Sequence, residues 1–292
     1  MAISFEAKAD IAPIGVEDFV HVLQKAYKGN SIEAMHAVAD KLQSVAANRE
    51  FVRDALLAEV KRIARQKNLI SFAPQSFIIY RDHPFSLRLN LWLPPVGSNR
   101  KIEQEARVYS YERAHDHNFS LLTVGAGGPG YKTRILEYDC ESVSGYAGER
   151  VEMTFLEDTM LPLGKAMIYR PHQDIHVQLP PEQPSLSLNL LIEEKEIVER
   201  PQYFFDLTAK SLVIMNDNEV GRRVSFLEAV GQFADEDSVS LLFDIARQNG
   251  NPLIRVAALD AIRTGFPELQ REIEKIAEAD THSLVQHSRS HS

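Results

Sequence analysis

A single cysteine, Cys140, stands in 292 residues, so no intramolecular disulfide can staple this chain. That usage fits a reducing compartment, and the cytoplasm is the expected location. Basic residues are outnumbered, 32 Lys and Arg against 41 Asp and Glu, for a net charge of -9. With no Lys/Arg block either, nucleic acid and anionic membrane are not expected partners. No apolar run approaches the ~18 residues that a membrane span needs, and no basic-apolar-small leader opens the chain. What remains is ordinary: 44% hydrophobic and 25% charged residues, enough for one large or two moderate globular domains.

The chain changes character twice. Residues 1–14 show no clear period and are expected to form an arm. From Val16 to Tyr27 a helical period places Phe19, Val20, Val22, Leu23 and Ala26 on one side. Lys28-Gly29-Asn30 breaks that helix, and Ser31 is the expected N-cap of a second one reaching about Val45. Asn48 is placed to cap a third helix to about Arg65, with Phe51, Ala55, Leu56, Val60 and Ile63 inward. This block reads as a helical cover, with His21 and His36 as structural or surface groups.

Near Pro74 the period switches from helix to strand. Residues 77–80 form a buried-strand candidate, and FSLRLNLWL alternates from Phe85 to Leu93, with Ser86, Arg88, Asn90 and Trp92 on the second face. Further strands are predicted at 108–113, 120–124, 131–138, 151–156, 166–169, 177–179 and 185–192, separated by turns such as GAGGPG at 125–130. Many short strands with turns every ten or so residues indicate a sandwich or barrel. Beyond about Asn218 helices return as a repeat: RVSFLEAV at 223–230 aligns with RVAALDAI at 255–262, each followed by an amphipathic stretch, 237–248 and 267–279. Repeated helix pairs bury a shared face by stacking. The expected division is 1–70 helical, 71–200 barrel, 201–281 helical repeats and 282–292 a disordered polar tail, an α+β chain overall.

Chemistry concentrates in two segments. His115 and His117 form an HxH pair, which on a strand projects both imidazoles from one face with Asp116 on the other. Gly164, Pro171 and His176 then follow a G-x6-P-x4-H spacing. His172 is an alternate ligand or supporting base, and Asp174 a candidate to orient an imidazole. Tyr169, Tyr138 and Arg134 are candidate pocket residues, and Glu137 is the nearest carboxylate on the following strand.

Together the HDH pair, the glycine turns and the G-x6-P-x4-H segment resemble the two motifs of the cupin superfamily, over roughly residues 75–195. The resemblance implies a central double-stranded β-helix, with the metal held by His115, His117 and His176. The glutamate usual after the second histidine is absent, with Leu121 and Leu122 in its place. A three-histidine set is similar to the thiol dioxygenase branch, of which cysteine dioxygenase is the type. FSLRLNLWLPP and IHVQLPPEQPSLSLNLL resemble segments of that branch. Tyr80-Arg81 sits where the branch keeps an arginine for the substrate carboxylate. The chain departs from that pattern at Leu191 and Asn189, where the branch has a tyrosine and its supporting histidine. Its crosslinking cysteine would fall near Leu122, whereas Cys140 lies elsewhere, and Gln173 replaces a glycine of the second motif. NPLIRVAALDAI in turn looks like a HEAT-type repeat.

Three neutral imidazoles suit Fe(II) and leave positions open for a substrate and O2. The first reading is therefore an iron-dependent oxygenase acting on a small carboxylate-bearing substrate, with Arg81, His172 and Tyr169 as candidate catalytic groups. Two alternatives stay open. One is a redox-inactive cupin using Zn, Mn or Ni as Lewis acid. The other is a non-enzymatic small-molecule-binding module whose repeats contact a protein partner. The repeats also suit a homodimer.

Overall fold

The computed structural model describes residues 3–65, 71–73, 75–97, 108–198, 200–213, 219–233 and 235–290. Most of the polar loop expected at 96–106 lies outside them. The chain divides into two units. One comprises Met1–Tyr138 and Met153–Val198, the other Asp139–Glu152 and Glu199–Ser292.

Strands dominate the first unit: β1 (Ile3–Phe5), β2 (Ser71–Ala73), β3 (Ser76–Asp82), β4 (Phe85–Trp92), β5 (Ala114–His115), β6 (Ser120–Gly127), β7 (Tyr131–Tyr138), β8 (Met153–Leu161), β9 (Ala166–Tyr169), β10 (Asp174–Gln178) and β11 (Ser185–Ile192). One antiparallel sheet has the order β1-β9-β6-β11-β4-β3-β2, and β5, β10, β7 and β8 are neighbours in a second. β11 runs between β4 and β6, pairing Ser185 with Trp92 through Ile192 with Phe85. β10 aligns His176 with His115 on one side and with Ile135 on the other. The first unit is thus built on two antiparallel sheets.

The alternation of β4 explains the layering, because successive side chains of a strand face opposite ways. Phe85, Leu87 and Leu89 join Leu122, Val124, Leu188, Leu190 and Ile192 beneath the N-terminal helices. Ser86, Arg88, Asn90 and Trp92 face the other way. The leucine-rich face is thus the floor for the helices, and the polar face lines the space between the sheets. There Trp92, Leu121, Tyr131, Ile135, Met167, Tyr169 and Leu191 form a second, more aromatic core.

The helices α1 (Val16–Ala26), α2 (Ser31–Ala46) and α3 (Arg49–Ala64) follow β1, and a short α4 (Lys195–Val198) follows β11. α1 buries Phe19, Val20 and Leu23, one helical stripe. α2 buries Ala34, Met35, Val38, Ala39, Leu42 and Val45, and each large apolar group among them contributes about 1.5–3 kcal/mol. Asn30, not Ser31, caps α2, accepting from the Glu33 amide at 3.1 Å. Ser31 is instead the first helical residue. Its hydroxyl is buried between Ser120 at 2.7 Å and the Glu194 carboxylate at 2.8 Å, so its partners lie across the sheet and not in its own helix. Asn48 does cap α3, through the Phe51 amide. The expected N-terminal arm ends in a strand, because Ile3–Phe5 finds the free edge of β9. The Gln43 amide nitrogen anchors the chain beyond it by donating to the carbonyls of Glu6 at 2.9 Å and Gly164 at 2.8 Å.

One predicted strand is absent. Residues 108–110 form a helical turn, and Ser110 and Glu112 adopt left-handed φ angles of 55° and 59°. The alternating VYSYER pattern looks like a strand locally. The turn instead stacks Tyr109 on Tyr111, ring centroids 5.1 Å apart, and both rings fill the aromatic core.

The second unit holds a hairpin of β12 (Phe204–Asp206) and β13 (Ser211–Val213). Its helices are α5 (Glu219–Val230), α6 (Glu236–Gln248), α7 (Pro252–Gly265), α8 (Gln270–Ala279) and α9 (Ser283–His287). The two aligned segments at 223–230 and 255–262 both lie in helices, α5 and α7. Small residues let these helices approach: Ala257, Ala258 and Ala261 are buried, and a Cβ on Gly231 would stand 2.7 Å from the Ala261 carbonyl. Asn251 caps α7, and Arg255 is paired through two nitrogens with Asp280. Residues expected to form a loose tail carry α9, because Leu284 and Val285 are buried. None of the described helices is long and apolar enough to cross a membrane.

Candidate metal centre

Three elements bring three histidines together. β5 and the loop after it carry His115 and His117, and β10 carries His176. Pairing of β5 with β10 sets His176 directly opposite His115. One ring nitrogen of each lies within 4.8 Å of the others, and all three residues are buried. The Nε2 atoms of His115 and His176 are 3.0 Å apart.

The hydrogen bonds assign His115. Its Nδ1 stands 2.9 Å from the Arg113 carbonyl, which can only accept, so Nδ1 carries the proton and Nε2 presents a lone pair inward. Both nitrogens of His117 and Nδ1 of His176 are buried without a hydrogen-bond partner among the described residues. A buried polar group left unpaired costs roughly 1–3 kcal/mol. A cation at the meeting point would relieve that cost at the inward-facing nitrogens. Burial pushes the His117 and His176 imidazoles well below the usual histidine range, and the neighbouring histidines add to the shift. Neutral imidazoles are the form that binds metal. The donor set therefore fits a divalent transition metal, held by His115, His117 and His176.

The histidines line a pocket of about 110 Å³ together with Gln75, Arg88, Asn90, Trp92, Tyr109, Ser110, Leu121, Thr123, Tyr131, Gln178 and Asn189. None of these residues is a carboxylate. Arg88 brings a positive charge, and its Nε is buried without a hydrogen-bond partner among the described residues. Burial lowers its guanidinium pKa to about 10, so it stays cationic at neutral pH. Tyr131 is held beside Gln178 and Thr123, and burial pushes its phenol up to about 12. The Thr123 hydroxyl donates to Asn189 Oδ1 at 2.6 Å.

Several expected site residues stand elsewhere. Arg81 is exposed at the end of β3 and outside the pocket, because the parity of β3 and the turn into β4 send it to solvent. Tyr169 packs its ring 4.6 Å from that of His176 but does not line the pocket. His172 lies outside the triad and the pocket lining. Its Nε2 meets the Ile197 carbonyl at 2.9 Å and its Nδ1 faces Asp116 at 3.5 Å. Asp174 does not orient an imidazole, since it is clamped by the Arg170 guanidinium and backbone amide. Glu137 also pairs with Arg170, at 3.1 Å, and does not line the pocket. Arg134 is an exposed partner of Asp158, and Tyr138 donates to Asp116 at 2.6 Å. Leu121 does reach the pocket wall, whereas Leu191 packs in the aromatic core.

Sequence reasoning missed Arg88, Asn90, Tyr131 and Gln178 as pocket residues. Their signal was parity. Arg88 and Asn90 sit on the polar face of β4, and Tyr131 begins the buried face of β7.

No family model matches the chain, and no curated protein matches it. Solved structures similar to it include the salicylate 1,2-dioxygenase from Pseudaminobacter salicylatoxidans, at 10% identity over 49% of this chain and 33% of that one, TM-score 0.27. The chain spans about a third of the length of that enzyme. A Cupin 2 conserved barrel domain protein from Salinispora arenicola is 11% identical over 42% of this chain and 78% of its own, TM-score 0.23. The hydroquinone 1,2-dioxygenase PnpCD is 7% identical over 65% and 84%, TM-score 0.27.

Proposed function

We infer that this chain is a metal-dependent, oxygenase-type cupin that takes Fe(II) and oxidises a small carboxylate-bearing substrate, a thiol or an amino acid. One observation carries the reading: three buried, neutral imidazoles converge in a pocket that no carboxylate lines among the described residues and that contains a cationic arginine. Three uncharged ligands leave a divalent ion its full positive charge, and Arg88 adds to it. Such a pocket selects an anion. The order and spacing of the HDH and G-x6-P-x4-H segments, similar to those of thiol dioxygenases, support the oxygenase assignment.

Bound at the three histidines, iron would supply redox chemistry and open positions for a substrate and O2. The remaining work falls to the chain itself. Arg88 holds the substrate carboxylate by charge-assisted hydrogen bonds. Tyr131 keeps its proton and donates a hydrogen bond to the anionic end of the substrate. Asn90, Gln178 and Asn189 orient its polar atoms, and Trp92 and Leu121 help exclude bulk water. For a thiol the balanced reaction is RSH + O2 → RSO2H, both oxygen atoms passing to sulfur. The helical second unit, with its HEAT-like aligned segments, is the element suited to contact a protein partner or a second copy.

Metal analysis of the purified protein by mass spectrometry, wild type beside His176→Ala, tests the reading. About one iron per chain, lost in the variant, is the expected outcome. Zinc or nickel lost in the variant would redirect the reading to Lewis-acid chemistry. No metal in either protein would overturn it.

A further inference from the structure

Behind the histidines, on the side away from the pocket, lies a second buried cluster. Asp116 stands between two of the proposed ligands in sequence and points the opposite way, with 0% of its surface exposed. Its Oδ2 accepts a 2.6 Å hydrogen bond from the Tyr138 hydroxyl, at the end of β7. The same oxygen lies 3.5 Å from His172 Nδ1. His172 is itself fixed at three points. Its backbone amide donates to the His117 carbonyl at 3.0 Å, its Nε2 meets the Ile197 carbonyl at 2.9 Å, and its Nδ1 faces Asp116. It holds a left-handed φ of 51°, uncommon for a non-glycine residue although histidine adopts it more readily than most. Such a conformation persists where the surroundings over-determine it.

The geometry points to Asp116 as a positioning residue for the metal centre, with Tyr138 and the backbone of His172 as its supports. The segment carrying His115 and His117 is two residues of strand followed by loop, with little ladder of its own. Its aim must come from elsewhere. The Asp116–Tyr138 bond ties it to β7, and the His172–His117 bond ties it to the turn leading into β10, which carries His176. All three imidazoles are thereby referred to one buried anchor. This inference rests on the metal reading above. Supporting groups of this kind, when removed, weaken metal binding by about 10–100-fold.

Cobalt(II) is the probe, because its visible absorption reports ligand geometry. Affinity is measured by chelator competition for the wild type, Asp116→Ala, Asp116→Asn, Tyr138→Phe and His176→Ala, with circular dichroism and thermal melting alongside. Asp116→Ala should bind about 10–100-fold more weakly and show an altered cobalt spectrum. Asp116→Asn should recover most of both, because its amide oxygen still accepts the Tyr138 hydroxyl. Tyr138→Phe removes the same bond from the other end and tests the proposal even if Asp116→Ala does not fold. A lower melting temperature with wild-type affinity and an unchanged spectrum in Asp116→Ala and Tyr138→Phe would overturn the positioning role while leaving the metal site intact. No cobalt binding by the wild type, or equal binding by His176→Ala, would overturn the metal reading and this proposal with it.

Discussion

Arg88 shows how a single residue acquires its meaning from parity. On β4 it alternates with Leu87 and Leu89, and a polar residue opposite a leucine face ordinarily looks to solvent. Here the leucines meet helices and the polar side meets the pocket, so the guanidinium reaches the space beside His117. Arg81, favoured by its place beside Tyr80 in the resemblance, is exposed. The three histidines were legible because HxH spacing constrains two of them to one face and the G-x6-P-x4-H spacing supplies the third. The arginine was not, because which face of a strand is inside depends on what covers the other. Replacing Arg88 with Gln should leave metal content at the wild-type level, since Arg88 is no ligand. It should raise KM for a carboxylate substrate about 10–100-fold, in line with the ~1.5–3 kcal/mol of a hydrogen bond to a charged group. Steady-state oxygen consumption against substrate concentration measures this. An unchanged KM would remove Arg88 from the substrate site.

Among the elements, the β6–β7 hairpin depends on glycines for space. A Cβ on Gly125 would stand 2.0 Å from the Pro162 carbonyl oxygen. That close approach is held by two backbone bonds, Gly125 N to Lys165 O at 3.0 Å and Gly164 N to Gly125 O at 2.8 Å. Gly125→Ala must therefore push two backbone segments apart, at a cost of roughly 1–3 kcal/mol typical of overpacking. Thermal melting should show the loss as a drop of several degrees, whereas Gly148→Ala, with nothing within 4 Å of the added Cβ, meets no clash and is strained only by its φ of 80°. An equal, small effect at both positions would contradict the close-approach argument. The glycine-rich turn itself was readable from sequence, as were α1, α2 and most strands, whose periods are strong. The false strand at 108–113 was not, since its alternation is real and only tertiary stacking of Tyr109 on Tyr111 makes the chain turn there.

At the scale of the molecule, metal binding and stability are one equilibrium. An ion that binds only the folded chain adds about 2.7 kcal/mol when its free concentration is 100 times Kd. Chelation should thus lower the melting temperature of the wild type, and readdition of iron should restore it. His176→Ala should melt at the same temperature with or without chelator. A wild type indifferent to chelation would mean that the three histidines hold no ion tightly enough to matter for folding.

By itself, the amino-acid sequence determined the helix–strand–helix succession, the periodic cores and the candidate ligand triad, because period, glycine turns and histidine spacing are local properties. Tertiary structure alone decided which side of β4 is the pocket, that Asp174 and Glu137 belong to Arg170, that His172 faces Asp116 and Ile197 outside the pocket, and that 139–152 groups with the C-terminal unit. Each of those outcomes turns on which distant segment packs against the residue, and a one-residue change of strand parity would reverse it.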